Sequence, residues 1–199
     1  MFFLYRTCVL SLCLGLAACG SVIQDAQGKA VEFALGAIGI KTRDKSDQAL
    51  PERTLTVRLE AAANLNAGED GKGLATVMRL YKLRDQNAFM STPHSSFGIQ
   101  DKEKQALEND LMEVRELTLS PGQVLNMKEK LLGDAAYLGV ITLFHSPFPQ
   151  RWRFAFATKD AIESEITVGV HACAMTATKV APAGMSLNEA ALLSPVRCK

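Results

Sequence analysis

The chain has 199 residues, 48% of them hydrophobic and 22% charged. That suits one domain with an appendage and excludes a largely disordered protein. With 22 Lys and Arg against 21 Asp and Glu, the formal net charge is +1, which argues against both a nucleic-acid binder and a polyanion mimic.

Residues 1–18 carry a single charge, Arg6, and an apolar run containing Leu10, Leu12, Leu14 and Leu16. The run is shorter than the roughly 20 residues a membrane-spanning helix needs and reads as a signal peptide. It ends in Leu16-Ala17-Ala18-Cys19, which resembles the bacterial lipobox, in which the cysteine becomes a lipid-bearing N-terminus. The alternative is a plain secretory signal with a chance cysteine. Two or more acyl chains anchor a protein stably, whereas one binds marginally. By resemblance to Gram-negative lipoproteins, Gly20, which is not Asp, implies sorting to the outer membrane. Loss of Arg6 with the leader would leave basic and acidic residues equal at 21.

Residues 19–53 read as the lipidated end and a tether. Ile23, Ala26, Ala30, Phe33, Ala34, Ala37 and Ile38 recur at helical spacing, followed by a polar stretch with Pro51. An amphipathic helix and a disordered linker both fit.

From Thr54 the period becomes two. Leu55, Val57, Leu59 and Ala61 alternate with Thr54, Thr56, Arg58 and Glu60, the pattern of a half-buried strand. Asn64, Leu65, Asn66, Ala67, Gly68, Glu69, Asp70, Gly71, Lys72, Gly73 and Leu74 then form a loop that is long for a strand connection. Leu65 and Leu74 are the apolar residues it offers. Taken alone, the loop reads as a solvated tip. Thr76–Leu83 is apolar on both parities, so the strand is covered on both faces. Residues 84–111 form a helical insertion, with Asp101 as the expected N-cap of its second helix.

Strands resume at Met112–Leu119 and Val124–Leu131, joined by Ser120-Pro121-Gly122-Gln123. This type II turn signature predicts a hairpin. Tyr137–Phe144 reads as a central strand. In Arg151–Thr158 the residues Trp152, Phe154 and Phe156 point in, with Arg151 and Arg153 out. Glu165–Cys173 and Met175–Val180 complete about eight strands, an antiparallel sandwich over residues 54–180. In the tail, 181–199, Ser186 and Glu189 form a capping box for a short helix.

The ordered set Leu59-Glu-Ala-Ala-Ala-Asn-Leu-Asn66, Val77-Met-Arg-Leu-Tyr-Lys-Leu-Arg-Asp85, Phe89, Leu119-Ser-Pro-Gly122, Tyr137-Leu-Gly-Val-Ile141, Phe144, Trp152-Arg153 and Cys173 resembles the type VI secretion outer-membrane lipoproteins of the TssJ (VasD/SciN) family. The set covers roughly residues 55–175, behind a lipobox. The resemblance implies a transthyretin-like β-sandwich lipidated at Cys19 and held in the inner leaflet of the outer membrane. It implies a partner, the C-terminal periplasmic domain of TssM, with TssL in the same membrane complex, and it turns the 64–74 loop into the contact. The other reading is a periplasmic module that binds a glycan or peptidoglycan through aromatic residues near Trp152.

No enzymatic constellation is legible. His94, His145 and His171 lack metal-ligand spacing. No G-x-S-x-G frames a nucleophile, and Gly68, Gly71 and Gly73 are followed by no Gly-Lys-Ser/Thr. The oxygen donors Asn64, Asn66, Glu69 and Asp70 miss the calcium-loop pattern. No cofactor is implied. Of five cysteines, Cys8 and Cys13 leave with the leader and Cys19 takes lipid. Cys173 and Cys198 remain, a candidate disulfide in an oxidising compartment. The alternative is a buried Cys173 and a free Cys198 on a frayed end.

Overall fold

The computed structural model describes residues 53–131 and 133–198. The leader, Cys19, Gly20 and the tether lie outside the described residues. The elements are β1 Arg53–Ala61, β2 Thr76–Leu83, α1 Asn87–Ser91, α2 Gln100–Leu107, β3 Leu111–Leu119, β4 Val124–Leu131, β5 Tyr137–Thr142, β6 Arg153–Ala157, α3 Thr158–Ala161, β7 Ile166–Val170, β8 Met175–Thr178 and α4 Leu187–Ala191. They build two four-stranded sheets, ordered β4-β1-β7-β8 and β3-β2-β5-β6. This is a sandwich with short helices.

In β1 the alternation becomes burial: Leu55, Val57 and Leu59 are wholly buried between the sheets. The second apolar face of β2 lies under the helical insertion. Tyr81 packs against Phe89 and Phe97, with ring centroids 5.3 and 5.7 Å apart. Gly139 of β5 makes room for this cluster, because a Cβ there would stand 2.8 Å from Phe89 Cζ. A buried carboxylate binds the insertion to the sheet. Glu103 of α2 accepts bonds from Arg79 Nη1 at 2.7 and 2.8 Å, Tyr81 Oη at 2.9 Å and the Gly98 N–H at 2.5 Å.

Four expectations need correction. The segment 120–123 is not a hairpin turn, since β3 pairs with β2 while β4 pairs with β1 in the other sheet. At Gly122, φ is +74° and the chain crosses the core; Gln123 O then accepts the Ala61 N–H at 2.9 Å. Period-two burial is the same whether consecutive strands lie side by side or face to face, so it does not report the crossing. The crossing edge is closed by Arg115 of β3, which donates to the buried Glu129 of β4 at 2.5 Å. Secondly, the sandwich is not wholly antiparallel: β1 and β7 pair in parallel, Val57 opposite Ile166. Thirdly, Ile99 is the N-cap of α2, and Asp101 sits inside the first turn, where its charge favours the helix dipole.

The fourth correction concerns Arg151. It is not outward-facing but 4% exposed. Its guanidinium donates to the Glu189, Ala190 and Leu192 carbonyls at 2.7, 3.0 and 2.8 Å. These carbonyls lie at the end of α4, so a buried cation satisfies the helix terminus. The start of α4 is capped as expected, with Ser186 Oγ accepting from the Glu189 N–H at 3.2 Å. The tail runs back along the side where β6 and β8 meet, and the Ala183 N–H donates to Ala155 O at 2.7 Å.

Candidate partner-binding end

Strand directions bring four connections to one end of the sandwich: 62–75, 120–123, 143–152 and 171–174. Backbone bonds join them. The Asn66 and Ala67 N–H groups donate to His171 O and Ala172 O at 3.0 and 3.1 Å. Those of Gly122 and Phe148 donate to Ala62 O and Cys173 O at 3.3 and 2.8 Å.

The 62–75 loop has a fixed base and a free tip. Leu65 is wholly buried, which corrects its reading as an apolar residue offered to solvent. The first turn of the loop folds it into the core, where its transfer from water stabilises the base. Asn66 is also buried, at φ +48°, and its Oδ1 accepts the His145 N–H at 2.8 Å. Asn tolerates this left-handed backbone better than most residues. Gly73 is required by a close approach, because a Cβ there would lie 2.3 Å from Ala63 O.

The tip closes on itself. The Gly68 N–H donates to Lys72 O at 3.0 Å and the Gly71 N–H to Gly68 O at 2.9 Å, with Gly71 at φ +73°. Asp70 Oδ1 accepts the Lys72 N–H at 3.1 Å, and this bond first, then the Lys72 side chain, holds the carboxyl below the usual carboxylate range. Glu69, Asp70, Gly71, Lys72 and Leu74 are exposed, Leu74 at 47%, as is Asn64 on the base. Ala67, Gly68 and Gly73 are half-buried. Beside the loop an open recess of about 310 Å³ lies between Ala75, Val77, Leu143 and His145. The loop therefore offers an apolar residue and charges on a rigid base.

The end carries no metal-ligand arrangement among the described residues. His94 stacks edge-on against Trp152 at 4.8 Å, and burial pushes its pKa down. His171 Nε2 lies 3.0 Å from Thr176 Oγ1 and is pushed down by the same cause. Trp152 is only 7% exposed, enclosed by His94, Phe97 and the Arg153 guanidinium 4.6 Å over its ring. That packing removes the stacking face a glycan would need. Arg153 is used instead to bind the Phe89 and Thr92 carbonyls that end α1.

At the same end Cys173 and Cys198 are joined as a disulfide, with Cα atoms 5.6 Å apart. The Arg151 clamp and the Asn66 plug escape sequence reasoning. Neither has a spacing signature, and each depends on which segment the fold brings opposite.

A family model described as "Type VI secretion lipoprotein, VasD, EvfM, TssJ, VC_A0113" matches residues 53–173. The fold is similar to the T6SS lipoprotein TssJ1 from Pseudomonas aeruginosa, with 24% identity, a TM-score of 0.57, and coverage of 67% of this chain and 99% of that one. A chain in the structure called "T6SS protein TssM C-terminal domain (869-1107) from EAEC" is similar at 21% identity and TM-score 0.55, covering 64% and 99%. A chain of a structure called "Type VI membrane complex" is similar at 22% identity and TM-score 0.58, covering 63% and 97%. Among curated proteins none matches.

Proposed function

The chain belongs to the type VI secretion lipoprotein family that includes TssJ and VasD, and from that premise we propose that its 62–75 loop docks onto the periplasmic C-terminal domain of TssM. The family makes it a non-enzymatic outer-membrane lipoprotein of the secretion system's membrane complex. The observation that carries the docking reading is the division of the loop. Leu65 and Asn66 are spent on the core, while the tip from Glu69 to Leu74 is held outward on a hydrogen-bonded base. A pre-ordered tip loses little freedom on binding, which favours affinity. The recess between Val77 and Leu143 gives a partner side chain a place to seat. A similar chain occurs in the structure named for the TssM C-terminal domain, and this supports the same partner.

The anchor follows from the sequence. Acyl chains on Cys19 hold the inner leaflet of the outer membrane, and Gly20 permits export there. TssM, with TssL beside it, supplies the inner-membrane side of the complex.

Two experiments test this. Removing residues 69–72 and replacing Leu74→Asp leaves the melting temperature unchanged and weakens capture of the TssM domain at least tenfold, about 1.4 kcal/mol. Undiminished capture would assign the contact elsewhere. Cys19→Ser moves the protein from the outer-membrane fraction to the soluble periplasm and abolishes secretion; a soluble variant that still supports secretion refutes the anchor.

A further inference from the structure

We infer that the end of the C-terminal tail, residues 192–198, is a second strip of the docking face and sets which TssM-type domain this lipoprotein accepts. The inference rests on the docking reading above.

Three observations carry it. The tail is fixed beside the loop by a continuous path: Ala67 is bonded to Ala172, and the next residue, Cys173, is joined to Cys198. A frayed terminus would need no such fastening. Upstream, the buried Arg151 holds the Glu189, Ala190 and Leu192 carbonyls, so both ends of the strip are pinned. What the pins display is open to solvent. Leu192 is 56% exposed and has the greatest exposure of the large hydrophobic side chains described. Arg197 is exposed, and among the described residues its guanidinium bonds only the local Ser194 and Val196 carbonyls, at 2.7 and 2.9 Å. An apolar side chain and a cation held at fixed positions suit a partner surface with an apolar spot beside a carboxylate. The family match ends at residue 173. The strip therefore lies outside the matched stretch, where a determinant of pairing between one lipoprotein and its own partner belongs.

Cys173 and Cys198 are then positioning residues. Without their bond, residues 193–198 are free, and the 171–174 turn that supports Asn66 and Ala67 loses a constraint.

The test uses the mature domain and the TssM periplasmic domain of the same organism. Leu192→Asp with Arg197→Glu weakens binding at least tenfold and leaves the melting temperature unchanged. Cys198→Ser weakens binding similarly, and the Asn66 and Ala67 amides exchange hydrogen faster while β2 and β5 amides do not. Wild-type affinity in the Leu192/Arg197 variant overturns the inference. So does a Cys198→Ser protein with unaltered affinity. If the variant lacking 69–72 also binds normally, the docking reading itself has failed. If only that variant loses binding, the loop stands and the tail does not.

Discussion

Glu103→Ala is expected to destabilise the domain by about 3–5 kcal/mol, the cost of breaking a buried ion pair by removing one partner. Glu103 is 3% exposed and the Arg79 side chain 16%. The carboxylate accepts both Arg79 bonds, the Tyr81 hydroxyl and the Gly98 N–H. Its loss strands the buried Tyr81 hydroxyl, takes one of two carboxylate partners from the half-buried Arg79 and releases α2 from the sheet. Burial and then the nearby Glu103 carboxylate push the Tyr81 phenol far above its ordinary pKa, so in the intact domain it stays a neutral donor to that carboxylate. Arg79 keeps Glu116 at the exposed edge, but an exposed pair contributes less than about 1 kcal/mol. Tyr81→Phe is the graded control: it removes one hydrogen bond and should cost about 1 kcal/mol. Urea unfolding of the three proteins decides the matter. Equal midpoints for Glu103→Ala and Tyr81→Phe would mean that the carboxylate is not what holds the insertion.

The second large effect separates two leucines nine positions apart in one loop. Leu65→Ala should cost about 2–5 kcal/mol, the range for a buried leucine whose removal leaves a cavity. Leu74→Ala should change stability by less than about 0.5 kcal/mol, as at an ordinary surface site. Partner binding should show the reverse order when both variants are assayed well below their melting temperatures. Leu74→Ala weakens capture, and folded Leu65→Ala retains most of it. A Leu65→Ala protein of wild-type stability would show that the loop base is not seated in the core.

The two leucines show how far the sequence is legible. Composition and glycine content identify a long loop between two strands over residues 64–74, two residues short at its start and one at its end of the observed 62–75. They do not tell which leucine turns inward, because that depends on Ala62 being bonded to both Val170 and Leu65, contacts more than a hundred residues apart in one case. The reading of Asn66 as a loop-surface residue fails likewise: its side chain serves the backbone of His145. Trp152 and Arg153 were legible as aromatic-in alternation. The burial of Arg151, on the nominally outward parity, was not, because the tail covers that edge strand.

Local chemistry determined the strands, the insertion and the helix cap at Ser186. Each depends on residues within a turn or two of one another, where period, propensity and hydrogen-bond offsets act directly. The ordered residues between positions 55 and 175 also pointed to the family, and the family model matched them. Tertiary structure alone decided which sheet each strand joins, that β1 and β7 run parallel, that Leu65 is core and Leu74 surface, and that the tail ends beside the loop. Those outcomes depend on pairings between distant segments, whose free energy comes from burial and closure of the whole sandwich, and a period-two pattern is the same for every arrangement that buries the same faces.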